Sequence, residues 1–309
     1  MIVTITPNPA LDVTYHVPSL TPGGEHRVQH MYVRPGGKGI NTAKVLTQLG
    51  EQAVATGFSG GANGEDMIQL LDQDRVPHSF VQAMHPTRRT VSIIDPVNGA
   101  TLFNEPGKER TPHEWNELIE LLKDMETPDL FTVNGSFPPG TSEETVRHLY
   151  RELLATGTTV LVDTSHDPLR WAIEEGVHAV KPNQHELADL VGSDTEDVRT
   201  SIARLLEHVH FVVASRGSQG MIAQVRGGEA VEVPAAKFVV GNPTGAGDSV
   251  VASLARSIVR DGLDAAHQPD VLRAWVADAI ALSAATVAAP VAGEFDEATY
   301  RELLSEEAQ

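Results

Sequence analysis

Gly241-Asn242-Pro243-Thr244-Gly245-Ala246-Gly247-Asp248-Ser249 sets small residues and one carboxylate at the mouth of an apolar helix, which the pattern predicts from about Ala246 to Val259. Ser249, Val250, Ala252, Leu254 and Ile258 carry that helix down into a core. The first turn of a helix leaves backbone N–H groups without intrahelical partners at the positive end of the macrodipole. The Gly245-Ala246-Gly247 turn is therefore a candidate anion hole for a phosphoryl group in transfer. Asp248 stands where it can take the proton of an attacking hydroxyl. Read alone, the same residues also suit a plain strand-to-helix turn whose Asp caps the first turn.

A second glycine-rich helix start, Pro35-Gly36-Gly37-Lys38-Gly39-Ile40-Asn41-Thr42-Ala43, lies about two hundred residues earlier and precedes the helical pattern Ile40, Ala43, Leu46, Leu49. It is not a Walker A loop: Tyr32 stands where that motif needs its first glycine, and Gly39 where Ser or Thr should follow the lysine. With both signatures in place, the chain resembles the PfkB (ribokinase-like) carbohydrate kinases. Thr6-Pro7-Asn8-Pro9-Ala10-Leu11-Asp12, the run Gly36 to Asn41, and Gly135-Ser136-Phe137-Pro138-Pro139-Gly140 are similar to the 1-phosphofructokinase and tagatose-6-phosphate kinase branch. The resemblance spans Ile2 to about Ala289.

Length and composition agree. The 309 residues suit one α/β kinase domain with a modest appendage, and no linker or internal repeat is visible. No run reaches the roughly 18 to 20 apolar residues that span a bilayer, and the Ala-rich stretch from Val276 to Ala289, broken by Asp278 and Ser283, reads as a buried helix. The absence of cysteine, together with a start at the strand-like Ile2-Val3-Thr4-Ile5 without signal-peptide features, leads us to expect the cytoplasm. A net charge of −19, from 23 basic and 42 acidic residues, disfavours nucleic acid and anionic membranes as partners. It also makes each cation near a glycine turn informative. No GxGxxG follows the first strand, which removes the main argument for a nicotinamide dehydrogenase. His26 with His30, and His208 with His210, come without a third ligand or a zinc motif and are read as surface or core residues.

Short β-branched runs alternate with amphipathic helical ones, which favours a mainly parallel sheet covered by helices on both faces. Strands are predicted at Leu130 to Val133, Thr159 to Val162, Ala179 to Lys181 and Phe211 to Ala214, and helices at Glu143 to Ala155 and Thr195 to His208. Val13 to Val33 and Thr90 to Asn104 break the alternation and read as a small antiparallel β lid, which the resemblance also implies. An isolated lid of that size buries little by itself, so a homodimer through it is expected.

The resemblance implies ATP-dependent phosphorylation of a phosphorylated ketohexose, with fructose 1-phosphate first and tagatose 6-phosphate or fructose 6-phosphate as alternatives. A sugar-phosphate-binding regulator without catalysis is the reading of another class, and the intact Asp248 speaks against it. Asp12, at the exit of the first strand, and Asn41 are implied to bind sugar hydroxyls, with Gly36, Gly37 and Lys38 lining the same subsite. Arg88 and Ser136 match positions that hold the phosphate already on the sugar, a task that a guanidinium fork suits. Arg89 should face the other way along a strand. Asn183, Ser215, Gly217 and Thr244 match nucleotide-binding positions, and Asn183 with Glu186 is implied to organise Mg²⁺ around the ATP phosphates through water. Asn183 and Glu186 equally suit a capping box. Thr90, where the branch often has Asn, and Arg216, in the nucleotide signature, depart from the family pattern.

Overall fold

The computed structural model describes residues 1–126, 128–193, 197–236, 241, 243–289 and 291–307. Its hydrophobic runs build one large sheet from β1 (Ile2–Thr6), β4 (Ala53–Ser59), β5 (His78–Gln82), β8 (Leu130–Asn134), β9 (Thr159–Asp163), β10 (Ala179–Val180), β11 (Phe211–Ser215), β12 (Met221–Val225) and β13 (Val231–Val233). The strand order is β13-β12-β11-β10-β9-β8-β1-β4-β5, parallel from β5 through to β11, with β12 and β13 added antiparallel. Successive residues of these strands point to opposite faces and feed two cores. Phe211 and Val213 enter one, with Val45, Leu254 and Trp275; Val212 and Ala214 enter the other, with Trp115, Leu149 and Ile202. The first core is covered by α1 (Lys38–Gln48), α8 (Ala246–Asp261), α9 (Pro269–Ala288) and α10 (Glu297–Glu307). The second is covered by α3 (Pro112–Asp124), α4 (Glu143–Ala155), α5 (His166–Glu174), α6 (Gln184–Val191) and α7 (Val198–Leu205). A smaller cluster including Leu11, Ile40 and Met67 packs α2 (Gly61–Gln73) beside the lid.

The lid is a second sheet, β2 (Ala10–His16), β3 (His30–Gly36), β6 (Arg88–Asp95) and β7 (Gly99–Asn104), in the order β3-β2-β6-β7. Its outer ladders are antiparallel and its central pair, β2 with β6, is parallel. The strands run further into the molecule than the predicted 13–33 and 90–104, because the ladders continue to Ala10 opposite Gly36 and Arg88. The lid thus begins within a few residues of β1, and its inner end belongs to the cleft.

Helix α4 has the predicted bounds, with Ser142 accepting the Thr145 N–H as N-cap. Helix α7 is shorter than predicted. Thr195 lies outside the described residues; Asp197 caps the helix start, and the chain leaves the helix after Leu205 to enter β11.

Helix α9 holds the Ala-rich stretch expected to be a buried helix, and it is one, though it comes nearer to a membrane span than the count of apolar residues suggests. Among the described residues it is the one helix long and apolar enough to cross a bilayer by length and composition, with mean hydropathy 1.5 over its best window. Half of that window is buried against the protein, and Leu272, Trp275, Val276, Ile280 and Leu282 belong to the core. Its interior carboxylate is matched: Asp278 accepts from Arg256 (2.8 Å), Tyr300 (2.5 Å) and Ser253, tying α9 to α8 and α10. We expect Asp278→Ala to lower unfolding stability by about 1 to 3 kcal/mol, since it leaves a half-buried guanidinium short of its partner. Replacing Arg256 and Asp278 together with Met and Leu should recover most of that loss in denaturant titrations, whereas a double variant as unstable as the single one would deny the network this role.

Candidate active site

The carboxyl ends of the parallel strands and the amino ends of α1, α6 and α8 meet on one edge of the main sheet, where open α/β sheets bind ligands. Gly245 enters α8 in the left-handed region at φ 87°, which a side chain would strain. The amides of Ala246, Asp248 and Ser249 are taken by the carbonyls of Pro243 and Gly245, while those of Gly245 and Gly247 take no protein acceptor among the described residues. The candidate anion hole therefore narrows from three residues to the Gly245 and Gly247 amides. A Cβ added at Gly247 would meet only Lys181 Nζ, at 3.9 Å, so glycine is not required there by the fold and the space above it is open.

Asp248 is 5% exposed, and Asn41 Nδ2 donates to its Oδ2 across 2.8 Å. Thr42 Oγ1 donates to the Asp248 carbonyl, and Asn134 Nδ2 to Thr42 Oγ1, so the first turns of α1 and α8 are locked to the end of β8. Asn41 thus holds the candidate base; its remaining Oδ1 is buried without a partner. Burial raises the Asp248 carboxyl to about 7, with Asp163 pushing the same way and Lys38, the Asn41 hydrogen bond and Lys181 opposing.

Beside Asp248 lies an ion cluster that sequence reasoning missed. Asp163, at the end of β9 and 1% exposed, sits 3.2 Å from Lys181 Nζ and 3.4 Å from Lys38 Nζ. Asp163 above all holds the Lys38 ammonium in its charged form, against the cost of burial and with help from Asp248 and Glu186. Two cations thus converge beside the open amide of Gly247. The signal was available: Asp163 and Lys181 each follow a fully apolar strand run at its carboxyl end, a place where a charge is expensive unless it is used.

On the lid, the β2–β6 register sets Asp12 opposite Thr90, two residues from Arg88 on the same face. Thr90 Oγ1 donates to Asp12 Oδ1, so this departure from the family pattern secures the Asp12 carboxylate. Burial raises the Asp12 carboxyl, against Thr90, Arg88 and Lys44. A Cβ at Gly36 would overlap that carboxylate, which explains the glycine. Arg88 is anchored by Nε to the Asn8 carbonyl (3.2 Å) and by Nη1 to the Glu105 carbonyl (3.0 Å), and with Ser136 and Asn8 it lines a cavity of about 480 Å³. Asn8 also donates to Ser136 Oγ at 3.4 Å; it was quoted in the sequence but given no role. Arg89 faces away, onto Asn63, as expected.

A second cavity of about 550 Å³ opens on the other side of Gly247, walled by Ser215, Gly217, Ala246, Val250 and Ile280. Its largely apolar wall suits a flat heterocycle. Thr244 is exposed on the loop before α8 and does not line it. Arg216 does not line it either, being bound to Glu232 and the Gln219 carbonyl.

At the start of α6 the capping box is formed. Asn183 Oδ1 accepts from His185 and Glu186 N–H, both at 2.9 Å, and Glu186 Oε2 accepts from Asn183 N–H at 2.8 Å. Both lone pairs of the Asn183 oxygen are committed, so of the two implied Mg²⁺ organisers only Glu186, through its second oxygen, fits a hydrated cation.

The sequence that builds these two cavities is matched over most of its length by a family model. The model for the pfkB family carbohydrate kinases covers residues 8–297. The chain belongs to this family. Among solved structures it is similar to phosphofructokinase-2 from Escherichia coli in complex with fructose-6-phosphate, at 26% identity over 100% of this chain and 99% of that one, with a TM-score of 0.88. A possible 1-phosphofructokinase from Thermotoga maritima matches at 25% identity over 99% and 97%, TM-score 0.82. Ribokinase from the same organism shares the fold, at 19% identity over 99% of both chains, TM-score 0.76. The protein is a PfkB carbohydrate kinase with the ribokinase-like α/β architecture.

A base must be deprotonated to act, so kcat/KM for this kinase should climb with pH up to about 7 and level off above it. Because the folded-state pKa is raised, the favourable contribution of Asp248 to stability is complete below about pH 4 and is lost as pH rises through about 7. Asp248→Asn should therefore lower kcat by about 10²- to 10⁴-fold while gaining stability relative to the parent between about pH 5 and 8. A variant keeping more than about a third of the parent kcat would remove Asp248 from the proton transfer.

Proposed function

We propose that this PfkB kinase transfers the γ-phosphoryl group of ATP to fructose 1-phosphate, giving fructose 1,6-bisphosphate and ADP. The observation that supports a sugar already carrying phosphate is the convergence of the Arg88 guanidinium and Ser136 on one cavity. Arg88 is placed there by two backbone carbonyls rather than by a carboxylate, so its charge remains available to an anion. The Glu105 side chain is turned onto the Arg89 N–H.

In this reading the sugar lies under the lid against Asp12 and the backbone of Gly36 and Gly37, with its free hydroxyl directed at Asp248. Asp248 takes the hydroxyl proton as the oxygen attacks the γ-phosphorus and the bond to the β–γ bridging oxygen breaks. The Gly247 amide, Lys38 and Lys181 face the charge on the transferring group, and the apolar cavity beyond holds the base of the nucleotide, beside Ser215 and Gly217. Mg²⁺, when bound with ATP, neutralises phosphate charge, and Glu186 would hold it through water.

A second reading, fructose 6-phosphate or tagatose 6-phosphate as acceptor, is favoured by the likeness to the fructose-6-phosphate-bound Escherichia coli structure, since Arg88 and Ser136 suit any of these esters. Coupled ADP-release kinetics over the three esters and plain fructose separate the readings. Arg88→Ala should raise KM for the preferred ester by roughly ten- to a hundredfold, corresponding to about 1.5 to 3 kcal/mol, and leave KM for ATP nearly unchanged. Equal use of plain fructose, or an unchanged KM, would sink the proposal.

A homodimer through the lid belongs to the same reading, and the cytoplasm remains our proposed compartment on the grounds of cysteine usage. The large exposed apolar side chains Met31, Tyr32, Leu102 and Phe103 lie on the two edge strands of the lid, and β7 is exposed along its whole length. A bare edge with such residues needs a cover. Light scattering at micromolar concentration should give twice the chain mass, and Leu102→Lys with Phe103→Glu should give a monomer; a fully active monomeric parent would refute it.

A further inference from the structure

At the far end of the sixteen-residue α8, about 20 Å along the helix from Asp248, the chain passes through a 3₁₀ segment, Leu263–His267, before α9. Asp264 and His267 stand three apart there, the spacing at which 3₁₀ side chains align. His210, one residue ahead of β11, approaches them from the main sheet. Its backbone is held from both sides, its N–H donating to the His178 carbonyl at 3.0 Å and its carbonyl accepting the Arg226 N–H at 2.8 Å. The Arg226 guanidinium in turn binds the Leu206 and Val209 carbonyls, so the stretch before His210 is pinned as well.

The His210 and His267 rings lie 5.7 Å apart, near perpendicular at 72°. His210 Nε2 is 3.7 Å from Asp264 Oδ1, too far for a hydrogen bond, and is buried without any partner. One donor atom from each of the three residues falls within 4.8 Å of the others. A nitrogen buried without an acceptor or donor is costly in a structure otherwise well paired at this end, and it needs a ligand.

We propose that His210, Asp264 and His267 form a binding site for a borderline divalent transition metal of the Zn²⁺ class, separate from the kinase site. Donors around such an ion sit about 2.0 to 2.2 Å from it, hence about 3.3 Å from one another in a tetrahedron. The donors must draw in from separations of up to 4.8 Å, His210 Nε2 and Asp264 Oδ1 already standing 3.7 Å apart, and the Asp264 carboxylate, 94% exposed, is free to move inward. Two imidazoles and one carboxylate suit Zn²⁺, Ni²⁺ or Cu²⁺ and are a poor set for Mg²⁺, which prefers oxygen and keeps its waters. Three protein ligands leave the fourth position to water. Bound there, the ion fastens the α8–α9 turn to the start of β11. In the sequence His208 and His210 come without a third ligand or a zinc motif, because the partners of His210 come from more than fifty residues away.

The test is equilibrium dialysis of the full chain against Zn²⁺ alone, with Mg²⁺ in parallel, supported by the visible absorption of Co²⁺ in the same site. The parent should take up one Zn²⁺ per chain that His267→Ala and Asp264→Asn do not, their affinity for that equivalent falling by about tenfold or more, with the tetrahedral Co²⁺ band lost in His267→Ala. Kinase turnover with MgATP, in zinc-free buffer, should be unchanged in both variants. His210→Ala should behave likewise; if it fails to fold, the two variants on the exposed 3₁₀ turn still decide the matter. Parent protein that takes up no Zn²⁺, or Zn²⁺ affinity unchanged in His267→Ala, overturns the proposal.

Discussion

Asn41 Nδ2 donates to Asp248 Oδ2 across 207 positions of sequence, and the geometry of the cleft depends on that bond. It joins the first turns of two helices that enter the main sheet from distant parts of the chain. It also leaves a carboxylate buried with its charge only partly met. Burial outweighs the attraction of Lys38 and Lys181, so the group titrates near neutrality, where a base is most useful. A shorter or apolar residue at position 41 would leave that carboxylate without its donor, with only Thr42 Oγ1 on the Asp248 carbonyl still tying the two helix starts together.

The surrounding charges follow from the same constraint. A lone buried carboxylate, or a lone buried ammonium, would not be tolerated; Asp163 with Lys181, at 1% and 5% exposure, is tolerated because each neutralises the other. Lys38 joins from the more open side, with its amine held by both Asp163 oxygens at 3.4 Å. The result is a neutralised buried pair with one further ammonium, Lys38, beside the cleft in a protein whose net charge of −19 otherwise repels anions. Long-range attraction to a sugar phosphate or to ATP is therefore weak, and binding falls to a few fixed cations and open amides.

Two sheets divide the work. The main sheet, with helices on both faces, fixes Asp248, Asp163 and Lys181 at strand ends and helix starts. The lid carries Asp12, Thr90 and Arg88 on one face and packs against α2 through Leu11 and Val33. The cavity is made jointly, Asn8 and Ser136 from loops after main-sheet strands and Arg88 from the lid.

Local chemistry made much of this legible in the sequence. Glycine before a helix, a carboxylate in its first turn, alternation of β-branched strands with amphipathic helices, and the bounds of α4 all depend on residues close together in the chain. The capping residues Asn183 and Glu186 were legible for the same reason, and so was their competing role. What the sequence could not show depends on contacts between segments far apart. The Lys181–Asp163–Lys38 cluster joins β9, β10 and α1; Asn41 donates to Asp248 from the other end of the chain; the Asp278 carboxylate inside α9 is matched by Arg256 and Tyr300 from two other helices. By itself the sequence determined the elements and the chemistry available at their ends, because propensity, capping and periodicity act over a few residues. Only the tertiary structure decided which of those ends meet, because the cost of burying a charge depends on which partner the fold brings to it.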